Sequence, residues 1–341
     1  MSALEAFAPG KLFVIGEYAV LAGGRALVAA VDAGIACRVE RAASWRLAAP
    51  DLGVEGPLDA ALADAPLLAA AAIRAREEFR LDAPLSFTVR GATVSSRSKH
   101  GLGGSAASVV AILAAAAASA GIDVESQSAR ARLFSIAFDT HRRHQRGRGS
   151  GADVAASVYG GWLEYALGEG GPKAPKAPKA PMIAAAALPA GFCLAAVWSG
   201  VASDTAGAIR SFDSASASPL AAILDEFWGA VDRQDRGAML SAIDAYGAAL
   251  QDLQDLRDID GGAPGTRRIA ELVRIARGDG VAAKGSGAIG GDCAIACAFE
   301  ATALAALAEK WRAAGAEPLA VSVDGRGVRL VLPAASEELH A

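Results

Sequence analysis

Apolar and polar positions along the chain fall into short segments whose period changes repeatedly. Residues 11–15 (KLFVI) and 35–40 (IACRVE) are compact apolar runs, and Leu85–Arg90 (LSFTVR) alternates apolar and polar positions. All three predict strands. Residues 58–79 are alanine-rich and predict a helix ending in RAREEF. From Ser105 to Gly121 the run SAASVVAILAAAAASAG is apolar on nearly every face. That pattern predicts a central buried helix, stopped by Gly121. Residues 126–144 predict a further helix, GRGSG a loop, DVAASVYGG a helix ending at Gly160 and Gly161, and WLEYAL a strand.

The stretch at 168–181, GEGGPKAPKAPKAP, has proline at every third position and predicts an extended, solvated loop. After it, FCLAAVWSG predicts a strand with a glycine turn, and 218–257 and AELVRIARGDG predict helices. CAIACAF and GVRLVL predict strands on either side of a helix at 301–314. Helices and strands mix here without a regular strand–helix–strand alternation. The fold class expected is therefore α+β rather than a doubly wound sheet.

Composition narrows the field. The chain has 341 residues, 53% apolar and 21% charged, enough for a sizeable core in one large domain or two ordinary ones. Its net charge of -4 supplies no global basic field of the kind nucleic-acid binding requires. Any anion site must come from a local basic cluster. Cys37, Cys193, Cys293 and Cys297 form no CxxC pair, so they read as thiols of a reducing compartment and not as a zinc site. The N-terminus makes a poor signal peptide, and the alanine runs are too interrupted or too weakly apolar to span a bilayer. A cytoplasmic protein with no membrane partner is expected.

Four segments carry candidate chemistry. Lys99-His-Gly-Leu-Gly-Gly-Ser-Ala-Ala-Ser108 opens the buried helix. Glycines allow close backbone approach, and a helix N-terminus presents N–H groups and partial positive charge, so the segment suits phosphate oxygens. It is neither a Walker loop nor a dinucleotide fingerprint, because both spacings fail. Pro9-Gly-Lys-Leu-Phe-Val-Ile-Gly-Glu-Tyr18 places Lys11 at a strand start, with an acid and a tyrosine just past its end. Lys284-Gly-Ser-Gly-Ala-Ile-Gly-Gly-Asp292 holds more glycine than a simple turn requires. His141-Arg-Arg-His-Gln-Arg-Gly-Arg148 concentrates positive charge and runs into Gly149-Ser-Gly-Ala-Asp153, which suggests an anion pocket beside a carboxylate.

Together these segments resemble the motifs of the GHMP kinases (galactokinase, homoserine kinase, mevalonate kinase and phosphomevalonate kinase). PGKLFVIGEYAVL resembles the first motif, HGLGGSAAS the second and KGSGAIGGDCAIA the third, in the family's order and over nearly the whole chain. Gly104 stands where the second motif usually has serine, and Ile289 where the third usually has glycine. GEYAVL, VWSGVASDT and GSGADVAASVYGG look most like the phosphomevalonate kinase branch. Mevalonate kinases typically carry a magnesium-binding glutamate on the segment before the catalytic aspartate, and the matching position here is Arg142.

The resemblance implies a ribosomal-S5-like N-terminal domain at 1–180 and a ferredoxin-like C-terminal domain at 181–335, with the site between them. It implies ATP with Mg²⁺ and a small phosphorylated acceptor. Lys11 and Asp153 become the catalytic candidates. Lys99, Gly101, Leu102, Gly103, Gly104, Ser105 and Ala106 become the nucleotide cradle, with Ser105 also a magnesium contact. Lys11, Tyr18, Arg146, Arg148, Ser150, Gly151, Ser286, Gly287 and Asp292 are expected around the acceptor, and Lys99 is a further candidate for its phosphate. Two alternatives stay open: a mevalonate kinase or other member of the family, and an inactive family fold serving as a sensor.

Overall fold

The computed structural model describes residues 3–91, 101–147, 149–168, 180–201, 218–255, 264–278, 280–287 and 292–331. Lys99, Arg148, Ile289 and nearly all of the proline-rich stretch lie outside them. The first sheet is built on β1 (Leu4–Ile15) and β2 (Arg25–Arg41), a long antiparallel pair. It also contains β3 (Arg46–Ala49), β4 (Val54–Pro57), β5 (Leu85–Gly91), β6 (Trp162–Ala166) and β7 (Met182–Ala185). A C-terminal strand, β12 (Arg329–Val331), pairs with β1, giving the order β12-β1-β2-β5-β3-β4 with β6 and β7 branching from β2. Two strands from beyond residue 181, β7 and β12, thus belong to this sheet. The β1–β2 register shifts between Ala8 and Gly10. Pro9 lies there and has no N–H to give the ladder. Its carbonyl instead accepts the hydroxyl of Ser157 at 2.8 Å.

The second sheet contains β8 (Cys193–Trp198), β9 (Val281–Ser286), β10 (Cys293–Ala298) and β11 (Glu317–Leu319). Its order β11-β8-β10-β9 is antiparallel throughout. In sequence rank that is fourth, first, third, second, the ferredoxin-like arrangement.

The helices are α1 (Ala61–Asp64), α2 (Pro66–Glu78), α3 (Gly104–Ser119), α4 (Gln127–His144), α5 (Ala152–Tyr159), α6 (Ser218–Asp232), α7 (Arg236–Asp255), α8 (Pro264–Ala276) and α9 (Ala301–Ala313). The stretch expected as one helix over 58–79 is broken at Ala65, where Pro66 begins a new helix at its first position. Proline suits that position because its missing N–H would have no intrahelical partner there. Residues 218–257, expected to be helical, form α6 and α7 over their described part, 218–255.

As its sequence predicts, α3 is buried without interruption from Ala106 to Ala117. Val109, Val110, Ile112 and Leu113 are fully enclosed there, and burying each such side chain contributes about 1.5–3 kcal/mol. One core joins α2–α5 to the first sheet. A second lies between β1–β2, α6–α7 and the second sheet, and a third covers the opposite face of that sheet with α8 and α9. The α+β expectation holds. Among the described residues no helix is long and apolar enough to cross a membrane. All four cysteines are free thiols, three of them buried.

Candidate active site

Lys11 stands near the middle of β1, where its backbone N–H donates to Leu102 O at 2.7 Å. That bond fastens the glycine loop before α3 to the strand. The side chain is only 8% exposed, and Nζ donates to Gly101 O at 3.0 Å. Nζ also lies 5.4 Å from the Phe13 ring centroid. An ammonium held this far from water needs such partners, because an uncompensated buried charge is costly. Gly287, in the third glycine segment, lies so close that a Cβ there would sit 3.4 Å from Nζ. The first, second and third motifs therefore meet around one buried cation.

Two glycines make this packing possible. Gly101 has φ +72° and faces Asp292, whose Cβ would be 2.5 Å from a Cβ added at Gly101. Gly103 has φ +76°, and an added Cβ would meet Lys11 Cγ at 2.8 Å. The glycine loop before α3 is thus packed against Lys11 itself, which is a reason for glycine at Gly103 independent of any ligand. No side chain caps α3, and its first intrahelical bond runs from Ala107 N to Gly103 O. The N–H groups of Gly104, Ser105 and Ala106 precede that bond and lack helical acceptors. Gly104 has open space around it and an ordinary φ, so serine, the usual residue there, would fit the backbone. Gly103→Ala is expected to cost about 1–2 kcal/mol from the left-handed backbone. Gly104→Ala should be neutral or stabilising by up to about 1 kcal/mol. Chemical denaturation of the two variants checks this, and nucleotide titration should show weakened binding for Gly103→Ala.

The basic end of α4 divides by helical face. Leu133, Ala137 and His141 recur every fourth residue on the buried side, and His141 is 2% exposed. Its Nε2 lies 3.0 Å from Ser105 Oγ, and its Nδ1 3.9 Å from Asp153 Oδ2. Arg142 points elsewhere: Nε donates to Gly147 O, and the guanidinium lies over the Phe138 ring. Arg143 is paired with Asp139 on the exposed face. Counted back along the sequence from Asp153, Arg142 is the position that resembles the family's magnesium ligand. In the fold the side chain facing Ser105 and Asp153 is His141, one residue earlier, because each helical step turns the side chain by about 100°.

Asp153 lies in the first turn of α5, where a carboxylate complements the helix dipole, and its Oδ1 accepts Val154 N–H at 2.9 Å. Ser157, one turn on, ties α5 to Pro9, two residues before Lys11 on β1. Gly151 is the N-terminal cap, and Ser150 Oγ accepts Ala152 N–H at 3.4 Å while Tyr165 donates to Ser150 O. Burial, followed by the Asp153 charge, pushes the Tyr165 hydroxyl well above its usual range, so it stays a donor. Arg146 is exposed just past α4, in a left-handed conformation with φ 55°.

The third segment has a second, unforeseen connection to the first. Lys284 Nζ forms a fully buried ion pair with Glu17 Oε1 and also donates to Gly285 O at 2.6 Å. Tyr246 on α7 donates to the Glu17 carbonyl at 2.7 Å. Ser286, expected near the acceptor, donates to Phe13 O at 2.9 Å and so ties β9 to β1. Asp292 is buried, its backbone bonded to Ser199 and Val201. Tyr18 is buried beside Glu17, with φ 65°. Burial pushes the neighbouring Cys293 thiol up to about 12, which leaves it un-ionised and unsuited to act as a nucleophile.

Residues 67–161 match the family described as GHMP kinases N terminal domain. The chain is 30% identical to the phosphomevalonate kinase of Streptomyces sp. (strain CL190), across 94% of this chain and 97% of that one. The chain belongs to the GHMP kinases. Among solved structures, the Streptococcus pneumoniae phosphomevalonate kinase in complex with phosphomevalonate and AMPPNP superposes with a TM-score of 0.74. It is 20% identical, with 95% of this chain and 100% of that chain covered. The mevalonate kinase of Methanococcus jannaschii gives a TM-score of 0.72 at 15% identity, covering 94% and 98%. Both likenesses establish the shared fold.

Proposed function

We propose that this protein transfers the γ-phosphoryl group of ATP to the phosphate of phosphomevalonate, giving ADP and diphosphomevalonate. The 30% identity to a phosphomevalonate kinase over nearly the whole chain supports the acceptor. The observation that carries the reading at the level of residues is the enclosure of Lys11 Nζ by Gly101 and Gly287, between two glycine segments. An acceptor phosphate oxygen attacks the γ-phosphorus and a new P–O bond forms. The bond from that phosphorus to the β–γ bridging oxygen breaks, and its electron pair leaves on ADP.

Two polyanions must be brought together for this. Like unit charges at ~4 Å repel by about 4 kcal/mol at an effective dielectric of ~20. Lys11 offsets that repulsion where the charge develops, and the first N–H groups of α3 hold nucleotide phosphates. Asp153 orients the acceptor. A phosphate near neutrality is already ionised and needs little help from a base. The donors present suit Mg²⁺ held mostly by phosphate oxygens and water: an exposed Ser105 hydroxyl and a partly exposed Asp153 carboxylate, with no cage of acidic side chains among the described residues. Ser105 would contact it, and the ion, when bound, neutralises charge on the phosphates. A mevalonate acceptor would call for a second carboxylate where this chain has His141. The division into parts at 1–180 and 181–335 goes with the same reading.

Arg146 and Arg148 bind the phosphate that the acceptor brings. Hydrogen bonds to charged groups contribute about 1.5–3 kcal/mol. Arg148→Ala and Arg146→Ala should each raise KM for phosphomevalonate by roughly 10- to 100-fold and largely spare KM for ATP. Arg143→Ala, on the exposed face of the same helix, should change neither. Steady-state kinetics with each substrate varied in turn tests this. Unchanged acceptor KM in both variants would remove the cluster from the acceptor site.

A further inference from the structure

We infer that His141 is a positioning residue that couples the nucleotide side of the site to the acceptor side, holding Ser105 through one ring nitrogen and Asp153 through the other. The inference rests on the phosphoryl-transfer reading of the site but goes beyond it, because the basic cluster alone would assign this histidine to anion binding. Its ring is out of reach of solvent at 2% exposure, so it is not part of an open cationic surface.

The geometry is specific. Ser105 Oγ is 3.0 Å from Nε2, within hydrogen-bond range. Asp153 Oδ1 is already engaged by Val154 N–H, which leaves Oδ2 turned towards Nδ1 at 3.9 Å. That separation exceeds a hydrogen bond, and contacts of this kind commonly tighten only when substrates are bound. With Nδ1–H directed at Asp153, Nε2 carries the lone pair and accepts the Ser105 hydroxyl proton. Ser105 then presents oxygen lone pairs, not a proton, to whatever the cradle holds. The Nδ1–H dipole fixes the rotamer of Asp153. A single buried ring thus sets two side chains on different helices, α3 and α5. A carboxylate in its place would add negative charge beside an acceptor that is already polyanionic, whereas an imidazole adds none.

Three substitutions separate the two contacts. His141→Gln keeps a polar group near the Nε2 position, His141→Asn keeps one near Nδ1, and His141→Leu removes both at similar volume. His141→Asn should weaken binding of a fluorescent ATP analogue about tenfold, the worth of one hydrogen bond, with acceptor KM little changed. His141→Gln should retain that affinity and lose about tenfold in kcat through Asp153. His141→Leu should show both losses. Equal losses in all three variants, no loss in any, or failure of both His141→Gln and His141→Asn to fold would make His141 a packing residue and overturn the inference. The nucleotide titration needs no acceptor. If wild-type protein fails to phosphorylate phosphomevalonate, the proposed function falls, while the affinity difference between His141→Asn and His141→Gln still decides the role of His141.

Discussion

Lys11→Met should lower kcat by about 10²-fold or more, which assigns the lysine roughly 3 kcal/mol of transition-state stabilisation. The expectation comes from where the ammonium sits. It is 8% exposed and bonded to Gly101 O at the mouth of the α3 cradle, and a Cβ at Gly287 would sit 3.4 Å from it. A charge held in so dry a place acts with little solvent screening on the phosphoryl group in transit. Methionine is one atom shorter but keeps the apolar stem that packs against Gly103. Loss of folding therefore should not account for the effect, and KM for ATP should change far less than kcat. Kinetics together with thermal unfolding of the same preparation separate the two. A variant with wild-type kcat would exclude Lys11 from the chemistry.

The largest effect on stability is expected at the buried pair of Lys284 and Glu17. Removing one member of a buried ion pair leaves an uncompensated charge and typically costs about 3–5 kcal/mol. Lys284→Met should fall in that range by chemical denaturation. Glu17 has little to turn to, since its Oε2 is already buried without a hydrogen-bond partner among the described residues. The double variant Lys284→Met with Glu17→Gln should recover much of the loss, because it removes both charges together. A cost below about 1 kcal/mol for Lys284→Met would place the pair with exposed ion pairs, which contribute that little. The pair joins the end of β1 to β9, so destabilisation here should also loosen the apposition of the first and third glycine segments.

Much of this was legible in the sequence where the signal is local. The run from Ser105 to Gly121 announces a helix buried on all sides, and α3 is one. The segment from Lys284 to Asp292 was legible as more than a simple turn because its closely spaced glycines exceed what a turn needs. Other features have no local signal. β2 extends back to Arg25, yet its alanine-rich first half lacks the two-residue alternation that marks a strand. The ion pair of Glu17 and Lys284 spans 267 residues and depends on how β9 docks against β1. Ser286 looked like a ligand contact but is turned inwards to Phe13 by the same docking. His141 could have been found, since Leu133, Ala137 and His141 continue one buried helical stripe. The density of arginine around it obscured that period, and counting residues from the family motif led to Arg142, whose side chain points to Phe138.

The central claim is the reaction itself. Purified protein would be given ATP and Mg²⁺ with phosphomevalonate or, separately, mevalonate, following ADP release and the phosphorylated product. The account predicts diphosphomevalonate as product and a kcat/KM for phosphomevalonate well above that for mevalonate. Faster phosphorylation of mevalonate, or no acceptor-dependent ADP release with either compound, would contradict it.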